Sequence, residues 1–260
     1  MAPPSVQIVH DEAACVVTLD RPAKRNAISV AMMHEIAAAA RAAEADPDVA
    51  AVILTGGPDF FSAGADLTEA LAIETPPQAR AYFGEWHRLT GALEDLRKPV
   101  IAAIEGFCLT GGLELALACD LRIAGAGASF AITSAKIGTV AGAGGTQRLP
   151  RLIGAAKALE LLFAADPIDA AEAARLGLVN RVVPAGAALA AAQQLAATYR
   201  ARAPLGLAFA KQAVHRGLQM DRAAALAFET DLVTAIYATA DKREGIAAFL
   251  EKRPPRFRGA

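Results

Sequence analysis

The pattern of apolar and polar positions places strands early in the chain and helices late. Residues 6–9 and 15–19 carry apolar alternation on either side of His10-Asp11-Glu12-Ala13-Ala14, which predicts a β-hairpin. Ser29 stands at an N-cap position before an alanine-rich stretch that reads as a helix to about Glu44 and is stopped by Asp46-Pro47-Asp48. Residues 49–55 form a short apolar run ending in Gly56-Gly57-Pro58, the pattern of a buried strand emerging into a loop. Loops at that edge of a sheet are where α/β proteins usually bind ligands. A loop with Thr75-Pro76-Pro77 leads into a predicted helix over 79–97. Residues 121–124 and 129–132 read as short strands, 151–165 and 169–176 as helices, and 177–183 as a strand closing at Pro184. Beyond that point the pattern is helical, with breaks near Pro204, Gly217 and Asp241. The shift predicts a spiral or layered α/β body over residues 1–199 and a helical extension over 200–260.

Residues 104–120, IEGFCLTGGLELALACD, concentrate the candidate chemistry. A short apolar run leads to Thr110-Gly111-Gly112, and the helical stretch that follows is apolar on every side. Such a helix is a buried one. Its first turn nevertheless holds a carboxylate, Glu114, and a buried charge is costly unless it is paired, hydrogen-bonded or used. Desolvation by the leucines should raise its pKa, whereas first-turn N–H groups and the helix dipole favour negative charge on Glu114 or on an oxyanion beside it. Those opposed pushes suit a group that exchanges protons. A structural reading stays open beside the functional one, because first-turn glutamates often cap helices. The capping box, however, requires Ser or Thr three residues earlier, where this chain has Gly111, with Thr110 four back.

Other segments are less specific. Residues 21–27, RPAKRNA, form a polar, basic turn. Small residues at the centre of 60–67, FFSAGADL, permit either close backbone approach to a ligand or a tight packing turn. Residues 134–148, SAKIGTVAGAGGTQR, are glycine-rich but lack the Gly-Lys-Ser/Thr ending of a phosphate loop and the spacing of a dinucleotide fingerprint. His87, with no metal or triad spacing around it, reads as a surface or satisfied histidine.

Composition narrows the function classes. A chain of 260 residues is long enough for one large α/β domain or a domain with an appendage. Its 54% hydrophobic content comes largely from alanine and contains no uninterrupted lipid-length run, so no membrane association is expected. The opening MAPPSVQIVHDEA lacks a basic segment followed by an apolar core, so no secretory signal is expected. Cys15, Cys108 and Cys119 are scattered and odd in number, which predicts neither a disulfide framework nor a zinc site, and a reducing cytoplasm is the expected location. A net charge of −1 gives no electrostatic footprint for nucleic acid, although the tail KRPPRFR is locally basic.

Six motifs in order, RPAKRNA, FSAGADL, IEGFCLTGGLELALACD, AGAGGTQRLPR, GLVNRVVP and DKREGIAAFLEKRPPRF, span nearly the whole chain. In that order and spacing the chain resembles the enoyl-CoA hydratase/isomerase (crotonase) family. The resemblance implies a spiral of ββα turns with a C-terminal helical trimerisation segment, commonly assembled as a homotrimer or a dimer of trimers. It implies an acyl-CoA thioester substrate, with no cofactor beyond the coenzyme A the substrate carries and no metal. By motif position the oxyanion hole falls on the N–H groups of Ala63 and Gly111. Lys24, Arg25, Ala27, Ala65, Asp66 and Gly142 match coenzyme- or substrate-binding positions, and Phe249 and Lys252 match tail positions that reach the coenzyme of a neighbouring subunit. Glu114 matches the first of the two catalytic glutamates of the family's hydratases.

The second glutamate position falls on Ser134. A hydroxyl cannot act as the general acid a carboxylic acid provides, and such a group contributes ~10²–10⁴ in rate. The expected activity is hydratase-type lyase chemistry on a 2,3-enoyl-CoA. The alternatives are an isomerase, hydrolase, decarboxylase or C–C lyase reaction using Glu114 alone, or a non-catalytic acyl-CoA-binding role.

Overall fold

The computed structural model describes residues 4–260; residues 1–3, part of the opening segment considered above, lie outside the described residues. β1 (Val6–Asp11) and β2 (Ala14–Leu19) pair antiparallel through a turn tighter than the sequence predicts, with Glu12 left-handed at φ 48°. β2 then runs parallel to β3 (Ala51–Thr55), and parallel pairing continues through β4 (Val100–Ile104), β6 (Leu121–Gly125) and β9 (Arg181–Val183). The result is a six-stranded sheet ordered β1-β2-β3-β4-β6-β9. β3 and β4 are buried at every position, as strands covered on both faces must be. Alternate residues serve two cores. Val52, Leu54, Ala102 and Ile104 face the layer of α1 (Val30–Ala45) and α3 (Pro76–Glu94). Ile53, Ile101, Ala103 and Ile123 face α8 (Ala188–Arg200), whose Ala188, Ala192 and Ala196 recur every four residues and let the helix lie close to the sheet.

A second, three-stranded sheet joins β5 (Phe107–Leu109), β7 (Ser129–Ala131) and β8 (Ile168–Asp169). Strand β4 of the first sheet passes into β5 of the second through only Glu105 and Gly106. The helix α4 (Gly111–Leu117), which follows β5 and packs against it and α5 (Gly145–Ile153), is buried at all seven positions. The buried Arg122 guanidinium ties the end of this helix to a distant segment, donating to the carbonyls of Ala116 within it, Cys119 just past it and Leu178 at 3.2, 2.8 and 2.7 Å.

Several boundaries differ from the sequence reading. α3 starts at Pro76 instead of 79, because Thr75 and Gln78 form a capping box and proline suits the first helical position. The helix expected over 151–165 is two, α5 (Gly145–Ile153) and α6 (Ala155–Ala164), broken at Gly154 with φ 81°. Between the 60–67 segment and the Thr75 loop the chain forms a short helix the pattern does not announce, α2 (Leu67–Leu71), capped by Asp66. The helix α7 (Ala170–Arg175) lies as expected, and the strand beyond it keeps only its last three residues.

The C-terminal helices are α9 (Pro204–Gly217), α10 (Arg222–Tyr237) and α11 (Ala240–Leu250). α9 is pinned to the body by Lys211 and His215, each 2.8 Å from Asp120. α10 buries no residue, leaving Leu226, Val233 and Tyr237 exposed. The tail turns back on α11, where the buried Asp241 carboxylate accepts N–H bonds from Arg258 and Gly259, both at 2.7 Å. Among the described residues no helix is long and apolar enough to cross a membrane, and no group of His, Cys, Asp or Glu could hold a metal ion.

Candidate active site

Thr110, between β5 and α4, carries the bend on which the site depends. Its φ of 45° and ψ of −112° are unusual for a residue with a side chain and cost ~1–3 kcal/mol. Three bonds hold it there: its N–H donates to the Ala131 carbonyl at 2.7 Å, its hydroxyl pairs with that of Thr133 at 2.7 Å, and the Thr133 N–H donates to that hydroxyl at 3.0 Å. The hydroxyl is thereby unavailable as a helix cap, and the Gly111 N–H at the start of α4 has no backbone partner among the described residues. Both glycines are sterically required. A Cβ on Gly111 would lie 2.8 Å from Cη2 of Trp86, and one on Gly112 would lie 2.7 Å from Cβ of Ser62.

The turn at 21–28 and the loop at 61–66 form one unit. Asn26, 1% exposed, donates from its amide to the Gly56 and Phe61 carbonyls at 3.0 and 3.1 Å, while the Ser62 hydroxyl donates to the Asn26 carbonyl at 2.7 Å. The Ile28 N–H donates to Gly64, and the Asp66 N–H donates to Ile28. Arg21 bonds the Asp66 carboxylate at 2.9 Å and the Ala27 carbonyl at 2.6 Å. Burial pushes the Asp66 carboxyl up, but the bonds from Arg21 and Thr68 outweigh it and leave the group below its ordinary value.

That geometry corrects one expected oxyanion donor. The Ala63 N–H is spent on the Arg25 carbonyl at 3.0 Å. The Ala65 N–H, two residues on, has no backbone partner among the described residues and lies 3.1 Å from where a Cβ on Gly111 would be. The two unpaired N–H groups that the fold brings together are therefore those of Ala65 and Gly111. Parallel pairing of Ile28 with Ala65 uses the flanking groups of Gly64 and Asp66 and leaves Ala65 itself free.

Glu114, 3% exposed, accepts two N–H bonds on the same oxygen, Oε1, from Ala143 and Gly145, both at 2.8 Å. Oε2 has no protein donor among the described residues and is the oxygen free to carry a proton. Burial pushes the carboxyl up to about 7, against the two backbone bonds and the charge of Arg148, which pull it down. A carboxyl poised there can both take and return a proton near neutrality.

Ser134 starts a 3₁₀ turn, Ser134–Ile137, and is 4% exposed. It follows Thr133, the residue bonded to Thr110, and Ile132, whose Cδ1 approaches Gly145 beside Glu114. Ile132 and Thr133, which lead into that turn, therefore lie beside Glu114 and the start of α4. Gly142 packs under the Phe83 ring, leaving no room for a Cβ, and its carbonyl accepts a bond from Nε2 of His87 at 3.0 Å. His87 is accordingly exposed and satisfied, as its sequence setting predicts.

Lys24 and Arg25 are exposed on the 21–27 turn, and Ala27 and Asp66 complete that unit. Phe249 and Lys252 are not brought to this site; they lie exposed at the far end of α11, Phe249 at 83%. Asn26, Ser62, Thr110, Trp86 and Arg148 escaped the sequence reading as site-building residues. A short polar side chain in the left-handed region, as at Asn26 with φ 53°, is the kind of position where small loops are pinned.

Comparison with known proteins agrees with this architecture. A sequence model of the family described as enoyl-CoA hydratase/isomerase matches residues 10–260. The chain is 40% identical over 253 residues to the probable enoyl-CoA hydratase echA8 of Mycobacterium tuberculosis, covering 97% of each. It is 38% identical over 258 residues to the crotonyl-CoA hydratase of Syntrophomonas wolfei, covering 99% of each. Its structure matches an enoyl-CoA hydratase subunit of Geobacillus kaustophilus with a TM-score of 0.93 at 38% identity over 98% of both chains. The chain belongs to the enoyl-CoA hydratase/isomerase family, has the crotonase fold and is an enzyme.

Proposed function

We propose that the chain is a hydratase-type lyase acting on a 2,3-enoyl-CoA thioester. One observation carries the proposal: a buried carboxyl, poised near neutrality with one oxygen fixed and the other free, in the first turn of the helix whose unpaired Gly111 N–H stands beside that of Ala65 from the 61–66 loop. The thioester oxygen would sit between the Ala65 and Gly111 N–H groups, where each donor to a developing enolate is worth roughly 3–4 kcal/mol. Oε2 of Glu114 takes a proton from water as the oxygen of that water bonds to the β-carbon. The electron pair of the double bond moves onto the thioester oxygen. Return of a proton to the α-carbon completes hydration. With Ser134 in place of a second carboxyl, Glu114 itself is the carboxylic acid available for that return, and hydration is expected to be slow. Glu69, a conceivable substitute acid, is engaged instead with the Val30 N–H at 2.9 Å.

The relatives named as hydratases support this reaction. Ser134 supports a second reading, an isomerase, hydrolase, decarboxylase or C–C lyase reaction through the same enolate using Glu114 alone. Lys24 and Arg25 would meet the coenzyme phosphates, with Ala27, Asp66 and Gly142 along the coenzyme and acyl path. Residues 200–260 are assigned to assembly as a trimer or dimer of trimers, on the support of the unburied α10 and the exposed Ile246, Phe249 and Leu250 of α11. Phe249 and Lys252 would then serve a neighbouring subunit's coenzyme.

The test is a panel of enoyl-CoA thioesters of increasing chain length, followed by loss of the conjugated enoyl absorbance, with calorimetry comparing an acyl-CoA and its free acid. Hydration of at least one thioester and tighter binding of the thioester are expected. Turnover of thioesters without water addition would move the assignment to the second reading, and equal or absent binding of thioester and acid would sink the acyl-CoA assignment.

A further inference from the structure

The carboxylate of Glu114 is oriented by a short segment, Ala143-Gly144-Gly145, that opens α5, where the Gly144 carbonyl accepts the Gln147 and Arg148 N–H groups while the two flanking N–H groups turn outward to Oε1. Gly144 is left-handed at φ 105°, so the N–H groups on either side of it converge on Oε1. Such a glycine turn is a shallow anion nest, and its donors are only as fixed as its backbone. Arg148, one turn into α5, supplies the fixing. Its Nη1 donates to the Ala143 carbonyl at 3.0 Å, and the guanidinium lies so close over Gly144 that a Cβ there would collide with it. The other edge of the fork is held bidentately by Glu94, the last residue of α3, with Nε to Oε1 at 2.6 Å and Nη2 to Oε2 at 2.8 Å. This is not a surface pair of small consequence, since the Arg148 side chain is 18% exposed and its planar fork is used on both edges.

Resting on the role proposed for Glu114, we propose that Arg148 is a positioning residue: clamped by Glu94, its guanidinium fixes the Ala143 carbonyl and Gly144, and so holds the two N–H groups that orient Glu114 with Oε2 toward the acyl group. Among the groups around Glu114, α5 brings Arg148, the one charged side chain that acts on it. α3 brings Glu94 behind that arginine and His87 on the Gly142 carbonyl, and the chain after β7 brings the uncharged Ile132 beside Gly145. From α9, Lys211, His215 and Arg216 line with Glu94 a cavity of about 260 Å³ whose wall includes neither Arg148 nor Ala143.

The clamp makes a prediction that simple electrostatics reverses. Removing the negative charge of Glu94 should, by charge alone, make Glu114 easier to ionise. If the clamp positions the donors, Glu94→Gln frees the guanidinium, loosens the nest and makes Glu114 harder to ionise. The experiment titrates the Glu114 side-chain carboxyl by ¹³C NMR in the full-length, substrate-free protein, with the signal assigned through Glu114→Gln. Parent, Arg148→Met, Arg148→Lys and Glu94→Gln are compared, each first checked for a native circular dichroism spectrum. Expected is an upward move of the titration midpoint by about half a pH unit or more in Arg148→Met, and a smaller upward move in Arg148→Lys, which keeps the charge but loses the fork, and in Glu94→Gln. The acid limb of kcat/KM against pH should move the same way in any active acyl-CoA assay, with acyl-CoA affinity altered by less than about threefold. An unmoved midpoint in Arg148→Lys and Arg148→Met, or a downward move in Glu94→Gln, would overturn the proposal. Because the titration needs no substrate, failure of the assigned reaction leaves this result readable, and should Arg148→Met not fold, Arg148→Lys and Glu94→Gln decide it.

Discussion

Glu114→Gln separates the chemistry of the buried carboxylate from its packing. The amide keeps the acceptor oxygen that the Ala143 and Gly145 N–H groups need, and nearly the same volume, but it cannot ionise. The carboxyl titrates near 4.5 in an unperturbed chain and at about 7 in the folded one. Between those values the folded state binds more protons than the unfolded state, so the stability associated with this group falls as pH rises through the window. At about 1.4 kcal/mol per pH unit, the full cost above the window is roughly 3 kcal/mol. Glu114→Gln should therefore be more stable than the parent by ~2–3 kcal/mol above neutrality, with the difference shrinking on acidification and gone below the unperturbed carboxyl value. Urea unfolding of both proteins at matched pH, followed by circular dichroism, measures that difference. Turnover on the preferred thioester should meanwhile fall by ~10²–10⁴ with little change in acyl-CoA affinity. A variant no more stable than the parent at alkaline pH would refute the idea that the carboxylate is held against a desolvation cost. Near-parent turnover would make the residue structural.

Ser134→Glu should raise the rate of crotonyl-CoA hydration without altering the fold, because two carboxyls in a small apolar site repel and hold one protonated; a fast parent, or a folded variant with no gain, would count against hydration limited by Ser134. Gly111→Ala sets a methyl 2.8 Å from Trp86 and 3.1 Å from the Ala65 N–H, in the space assigned to the thioester oxygen. It should lower kcat/KM by ~10²–10³ with a native circular dichroism spectrum, and unchanged kinetics would remove the oxyanion assignment. Light scattering should find a trimer or hexamer, with lower oligomers and weaker coenzyme binding after deletion from Asp241, and a monomer at micromolar concentration would contradict the assembly.

The sequence alone determined which segments are buried and which are turns, because apolar period and punctuation are local properties. Residues 49–55 read as a buried strand and Glu114 as a carboxylate inside an apolar helix, and the structure has β3 buried at every position and α4 buried throughout. Motif order likewise carried the family, since its six segments are spelled out in the chain. Tertiary structure decided what depends on pairing between distant segments. Whether a backbone N–H is spent or free cannot be read from its own residue: Ala63 loses its donor to Arg25, thirty-eight positions earlier, while Ala65 keeps its own. The same holds for the proton-handling group. Its two donors come from residues 143 and 145, and the guanidinium behind them is anchored on Glu94 at the end of α3. Burial raises the carboxyl's pKa, and these long-range contacts limit the rise to about 7.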